Sequence, residues 1–160
     1  MASLKNKKVR YIRLTPQLSE YTSYFQQLSE MLLEDSSEAN IEDIGSWVNA
    51  NANIYLAVRG STVVGYCVIV DDVNWGHGVP AILDVIYLNK KYRGKGHGKG
   101  LIKFSIEDYY KSGTKDIVIF VDSTNLTAFN LYTSVGFTEV GSFYHIMGYG
   151  DKIHQLVYTR

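Results

Sequence analysis

A chain of 160 residues is long enough for one compact domain and too short for two ordinary ones. Hydrophobic residues make up 46% and charged residues 20%, with only two prolines, which excludes disorder and collagen-like structure. Sixteen Lys and Arg balance sixteen Asp and Glu, so whole-surface attraction to nucleic acid or an anionic membrane is not expected, and the single Cys67 excludes an internal disulfide or a cysteine-based zinc cluster.

The basic first ten residues lack the apolar stretch of a signal peptide, and no run approaches the roughly 20 apolar residues that span a bilayer. A soluble, cytoplasmic protein is expected. Val9 to Leu14 reads as a first strand, stopped by Thr15-Pro16. Leu18, Tyr21, Phe25, Leu28 and Leu32 then recur at helical spacing and predict an amphipathic helix. A second, short helix is predicted from Ile41 to about Ala50, with Ile44, Trp47 and Val48 on one face.

Ile54 to Val58 and Thr62 to Val70 flank Arg59-Gly60-Ser61, a hairpin signal. Asp71 to Pro80 reads as a polar loop. Ala81 to Leu88 is nearly continuously apolar, as suits a central strand buried on both faces. Beyond a glycine cluster, Leu101, Ile102, Ile106 and Tyr109 form a helix stripe ended by Ser112-Gly113. Ile117 to Val121 reads as another buried strand. Thr124 or Asn125 caps a helix through Val135 that Gly136 closes. Phe137 to Phe143 and Ile153 to Tyr158 complete the strands. The order β-α-α-β-β-β-α-β-α-β-β predicts one α+β domain over residues 1–160.

Charge is uneven along the chain. Lys90, Lys91, Arg93, Lys95, Lys99 and Lys103 fall together without an acid, leaving ten basic residues against sixteen acidic ones elsewhere. Gly94, Gly96, Gly98 and Gly100 interleave with them, between a strand and a helix. Glycines let the backbone approach a ligand closely, and the helix behind offers unpaired N–H groups and the positive end of its dipole. That combination suits a phosphate or pyrophosphate. A Walker loop fails because Gly98-Lys99 is followed by Gly100 and position 93 is Arg. A dinucleotide fingerprint from Gly94 fails because position 99 is Lys.

Arg93-Gly94-Lys95-Gly96-His97-Gly98 resembles the Arg/Gln-x-x-Gly-x-Gly/Ala motif of the GCN5-related N-acetyltransferases. Leu83 to Leu88 is similar to that family's fourth strand. Val121, Asn125, Ala128, Leu131, Tyr132, Gly136 and Phe137 match its fifth strand with the helix and turn that follow. The resemblance implies a mostly antiparallel, twisted sheet of about seven strands flanked by about four helices, splayed between the fourth and fifth strands.

It also implies roles. The segment Arg93, Gly94, Lys95, Gly96, His97, Gly98 and Lys99 would hold the pyrophosphate of acetyl-CoA, and Ile86, Tyr87 and Leu88 its pantetheine arm. Asn125 would bind that arm or an ordered water; it reads equally as a helix cap. Tyr132 would be the general acid toward the leaving thiolate, against the alternative of a core aromatic. A protonated amine has no lone pair for attack, so a base is needed. Asp84, where family members often carry Glu, is the candidate, directly or through water; a satisfied strand-end carboxylate is the alternative. His77, His97 and His145 are further titratable groups. No histidine spacing indicates a metal site, and the implied reaction needs none. Cys67, inside an apolar strand, reads as core.

The expected function is therefore transfer of acetyl from acetyl-CoA to a primary amine of a small molecule or peptide by direct attack. A coenzyme A-binding regulatory module without turnover is the alternative, and a nucleic-acid-binding domain using the basic loop fits the net-acidic remainder poorly. Neither nucleic acid nor membrane is expected as a partner, and exposed C-terminal strands offer a route to a homodimer. Glu34, Asp35, Glu38, Glu42, Asp43, Asp71 and Asp72 are expected on the acceptor side and favour a cationic acceptor.

Overall fold

The computed structural model describes residues 7–34, 47, 52–71, 80–113, 115–144 and 152–159. Seven strands form one sheet: β1 (Val9–Arg13), β2 (Asn53–Arg59), β3 (Thr62–Val70), β4 (Ala81–Leu88), β5 (Ile117–Asp122), β6 (Thr138–Tyr144) and β7 (Lys152–Tyr158). Their spatial order is β1-β2-β3-β4-β5-β7-β6. Every neighbouring pair is antiparallel except β4 with β5, which is parallel. The described residues hold three α-helices: α1 (Tyr21–Glu34), α2 (His97–Ser112) and α3 (Leu126–Val135), with a 3-10 turn at Lys90–Tyr92. The mostly antiparallel seven-stranded expectation holds. Trp47 is helical, but the rest of the expected second helix lies outside the described residues, as do residues 72–79 of the expected polar loop.

Two apolar layers hold the sheet. On one face Tyr24, Leu28 and Leu32 of α1 pack with Leu56, Val58, Tyr66, Val68 and Trp47. On the other Leu101, Ile102, Ile106 and Tyr109 of α2 pack with Tyr55, Cys67, Ile69 and Leu83. Helices on both faces explain why β2 and β3 read as apolar runs and not as alternations. The α1 stripe centres on Tyr24, Leu28 and Leu32, at 0–2% exposure. The sequence reading missed Tyr24. Its hydroxyl accepts a hydrogen bond from Arg10 at 2.8 Å, which lets a tyrosine sit inside at low cost. Leu18 precedes the helix, in the turn after Pro16.

Strand β4 departs from the expected double burial. Ala81 and Leu83 are buried, Asp84 is exposed, and Val85 to Leu88 are only half-buried. Two features cause this. Pairing to β5 is confined to Ala81 with Ile117 and Ile82 with Val118, after which the strands part. Toward β3, Val85 pairs with Val68 and Leu83 with Ile69, so Asp84 is an extra residue in a bulge. A bulge switches which face the following side chains take. Ala81 and Leu83 belong to the α2 layer; beyond the bulge Ile86 and Leu88 do too, while Val85 and Tyr87 join the α1 layer. The missing neighbour and the shifted parity together create a site.

Candidate functional site

Where β4 and β5 part, a cleft of about 500 Å³ opens. Ile86, Tyr87 and Leu88 form one wall, and Thr127, Ala128, Leu131 and Tyr132 of α3 the facing wall. Arg93, Gly94, Gly96, Gly98 and Lys99 close the end, and Asn125 stands at the rim. Gly65 lets the β4 wall sit close against β3: a Cβ there would lie 2.6 Å from the Tyr87 carbonyl oxygen and 2.7 Å from Leu88 Cδ2.

The four glycines of the loop differ in what they do. Gly94 and Gly96 have φ of +72° and +83°, a region other residues rarely adopt. Neither has a heavy atom within 4 Å of where a Cβ would stand, so their backbone borders open space. Gly98 has ordinary backbone, and its absent side chain leaves room between Leu88 and Leu131. Gly100 serves packing alone: a Cβ would strike the Tyr11 ring, whose Cζ would be 2.7 Å away. Gly96 begins α2 without a side-chain cap. The first N–H groups of that helix lack intrahelical partners, so the loop end of the cleft suits an anion.

Arg93 is braced. Its Nε donates to the Leu88 carbonyl at 2.8 Å, and its guanidinium lies 5.4 Å from the Tyr87 ring centroid. That joins the loop to the end of β4. Lys95 and His97, expected in the anion site, do not line the cleft; they border a separate hollow on the other side of the loop. The reason is local: Lys95 Nζ turns back to donate to the Lys91 carbonyl at 3.1 Å. Asn125 is the N-cap of α3, its Oδ1 accepting from the Ala128 N–H at 3.1 Å. Its carbonyl is thus committed to the helix while its amide remains at the cleft. Thr124 instead donates to Asp122, whose carboxyl those bonds hold below the usual range.

Tyr132 lines the cleft at 7% exposure, its ring 5.9 Å from Phe137 and edge-on to it. Burial, with the nearby Cys67 thiol, pushes its phenol well above the ordinary value. Tyr132 therefore stays protonated and can donate. Cys67 is fully buried, and burial raises its thiol to about 12, although Ser105 beside it pulls the other way. A thiol so held is no nucleophile. Asp84 does not line the cleft. From the bulge its Oδ2 accepts a hydrogen bond from Trp47 Nε1 at 2.9 Å, on the α1 layer. Trp47 was read from the sequence as a packing residue, and nothing in its spacing pointed to Asp84. Asp71, expected near the acceptor, accepts a hydrogen bond from the Tyr109 hydroxyl at 2.7 Å. Asp35, Glu38, Glu42, Asp43, Asp72, His77 and His145 lie outside the described residues, as does the Glu34 side chain. Thr127 also lines the cleft, from the first turn of α3.

Among the described residues no group of three His, Cys, Asp or Glu side chains is placed to hold a metal, and no helix is long and apolar enough to cross a membrane. The geometry suits an extended ligand with an anionic end at the loop and an apolar arm along β4.

Comparison with known proteins gives a consistent picture. The sequence model of the "Acetyltransferase (GNAT) family" matches residues 16–137. N-acetyltransferase family 8 member 2 of Rattus norvegicus is 25% identical over 109 residues, 67% of this chain and 48% of that one. The chain thus spans about half the length of that curated relative. A chain of the NatC complex bound to Gag peptide and CoA superposes with a TM-score of 0.72 at 19% identity, covering 96% of this chain and 99% of that one. A GNAT family acetyltransferase from Elizabethkingia anophelis with acetyl-CoA bound gives 0.70 at 16% identity, covering 95% and 98%.

Proposed function

Because the chain belongs to the acetyltransferase (GNAT) family, we propose that it transfers acetyl from acetyl-CoA to a primary amine of a small molecule or peptide by direct attack. The carrying observation is the cleft itself: an apolar half-strand on one side, and at its end an uncapped helix start behind Gly94 and Gly96. Those residues fit a ligand with a pyrophosphate and a long arm. The N–H groups of the loop and of α2 would take the pyrophosphate, Ile86 and Leu88 the arm, and the Asn125 amide a polar group along it. The bound thioester supplies an activated acyl carbon.

The chain's own groups then supply positions and protons. Asp84 stands on the α1 side of β4 and Tyr132 on the α2 side. The gap between β4 and β5 lets a group on one side meet a group on the other. In this reading Asp84, directly or through water, takes a proton from the acceptor ammonium and frees its lone pair. The carbon–nitrogen bond forms and the carbon–sulfur bond breaks. Tyr132, kept protonated by burial, gives its proton to the departing sulfur and regains one from solvent. Burial of the phenol prevents it from serving as the base. The half-exposed wall and the hydrogen-bonded Asp84 are compatible with an amine on a peptide or on a small molecule, and the NatC structure holds a peptide.

The test is release of free coenzyme A from acetyl-CoA over a panel of amines that includes peptides with free N-termini, lysine peptides and polyamines. Amine-dependent release supports the reading. Acetyl-CoA binding without release by any amine would favour a regulatory module, and no binding at all would remove the cleft from consideration.

A further inference from the structure

Lys95, His97 and Tyr92 face away from the cleft into a hollow of about 260 Å³. Its other walls are Lys7, Lys8 and Val9 where β1 begins and Arg59 where β2 ends. Three segments far apart in sequence thus bring Lys7, Lys8, Arg59 and Lys95 to one small space, with His97 beside them. Among the described residues, no carboxylate lines it. The ion pairs among the described residues engage Arg13, Lys111 and His154, none of which is in the hollow. Two of its four cations are tethered, but to neutral carbonyls: Arg59 Nε donates to the Lys7 carbonyl at 3.0 Å and Lys95 Nζ to that of Lys91 at 3.1 Å. The tethers hold the charges in place without compensating them. Ordinary surfaces intersperse both signs, because like charges drawn together repel. Here none of the described residues supplies the compensating charge.

We infer that this hollow binds a compact polyphosphate, at a second anion site separate from the cleft. Several negative charges in a small volume match several cations around a small volume, and phosphate oxygens accept strong hydrogen bonds from Lys and Arg. The site accounts for the Lys95 and His97 side chains, which border the hollow and do not line the cleft. The proposal goes beyond the acetyl-transfer reading and does not rest on it.

Inorganic tripolyphosphate is the probe, titrated calorimetrically into the full chain at low ionic strength. Four proteins are compared: the wild type, Gly98→Val, the double variant Lys7→Gln/Lys8→Gln, and Arg59→Gln. Gly98→Val narrows the cleft and leaves the hollow intact. It should lose only the tripolyphosphate that the cleft takes and keep the wild-type affinity at the hollow. Lys7 and Lys8 are exposed and precede the first strand, so their replacement spares the fold, which circular dichroism will verify. Both charge-removing proteins should bind about tenfold more weakly or worse, the scale of losing charged hydrogen bonds. Absence of binding by the wild type, or loss in Gly98→Val with retention in the lysine double variant, overturns the proposal by returning the anion to the cleft. The remaining phosphate source is the 3′-phosphate of acetyl-CoA. If the double variant weakens acetyl-CoA but leaves 3′-dephospho-acetyl-CoA unaffected, the hollow belongs to the coenzyme and the separate site falls. Equal affinities of the double variant and the wild type for acetyl-CoA support two sites.

Discussion

Replacing Gly98 by Ala separates ligand space from fold stability, because the two should move in opposite directions. The new methyl would sit 3.4 Å from Leu88 Cδ1 and 3.8 Å from Leu131 Cδ2, ordinary contact distances, on backbone without a positive φ. Nothing has to shift to admit it. Alanine in a helix is favoured over glycine by about 0.5–1 kcal/mol, less at a frayed first turn. For a chain of this size each kcal/mol moves Tm by roughly 2–4 °C. The ligand-free variant should therefore melt at the wild-type temperature or up to roughly 4 °C above it. The same methyl stands between Leu88 and Leu131 inside the cleft, where the anionic end of acetyl-CoA is proposed to dock. A tenfold loss of affinity corresponds to about 1.4 kcal/mol. At a ligand concentration 100 times the wild-type Kd, acetyl-CoA adds about 2.7 kcal/mol to wild-type stability and about 1.4 kcal/mol to such a variant. The acetyl-CoA-induced rise in Tm should thus fall by about half. Thermal unfolding followed by circular dichroism, with and without acetyl-CoA, measures both effects. Gly96→Ala is the contrast, since its φ of +83° strains an alanine even with open space around it. That variant should lose about 1 kcal/mol or more before any ligand is added. An undiminished acetyl-CoA effect in Gly98→Ala would refute the placement of the coenzyme, and a fall of several degrees in its ligand-free Tm would refute the packing argument.

Tyr132→Phe keeps the ring contact with Phe137, so stability should change little while turnover falls about a hundredfold at constant KM for acetyl-CoA; near-normal turnover in a stopped assay would make Tyr132 a packing residue. Asp84→Asn, at an exposed bulge, should shift stability by no more than about 0.5 kcal/mol yet lower turnover by about a hundredfold or more, and an unchanged pH–rate profile would dismiss Asp84 as the base. Raised pKa values in the fold predict alkaline instability. The Cys67 thiol, at about 12 when folded, binds its proton more tightly than in the unfolded chain, so its contribution is complete below the unfolded value of 9.0 and is lost as pH rises toward 12. Buried Tyr55, Tyr109 and Tyr132 extend the loss above pH 10. Each group contributes a slope of about 1.4 kcal/mol per pH unit in its window, so denaturant unfolding of Cys67→Ala should show a shallower decline between pH 9 and 10 than the wild type. Equal slopes would contradict the thiol assignment.

What the sequence determined by itself was local. Element order follows from apolar periodicity and turn residues, and the α3 cap at Asn125 and the close at Gly136 follow from side-chain chemistry within four residues. The glycine-rich turn ahead of α2, proposed to take the pyrophosphate, was likewise legible, because glycine spacing before a helix needs no distant partner. Tertiary structure decided the rest. The bulge at Asp84 is a property of how β4 pairs with β3, and it alone sends Ile86 and Leu88 to the α2 face. The half-burial of β4 depends on β5 leaving after two residue pairs. Asp84 acquires Trp47, and Asp71 acquires Tyr109, across separations of 37 and 38 residues that no local pattern encodes. The basic loop was read as one surface, yet Arg93 and Lys95 bond to different carbonyls and so face different cavities. Spacing along a chain fixes which side chains are neighbours in a helix or strand. It cannot fix which side of a loop they take, because that depends on the strands and termini folded against each side.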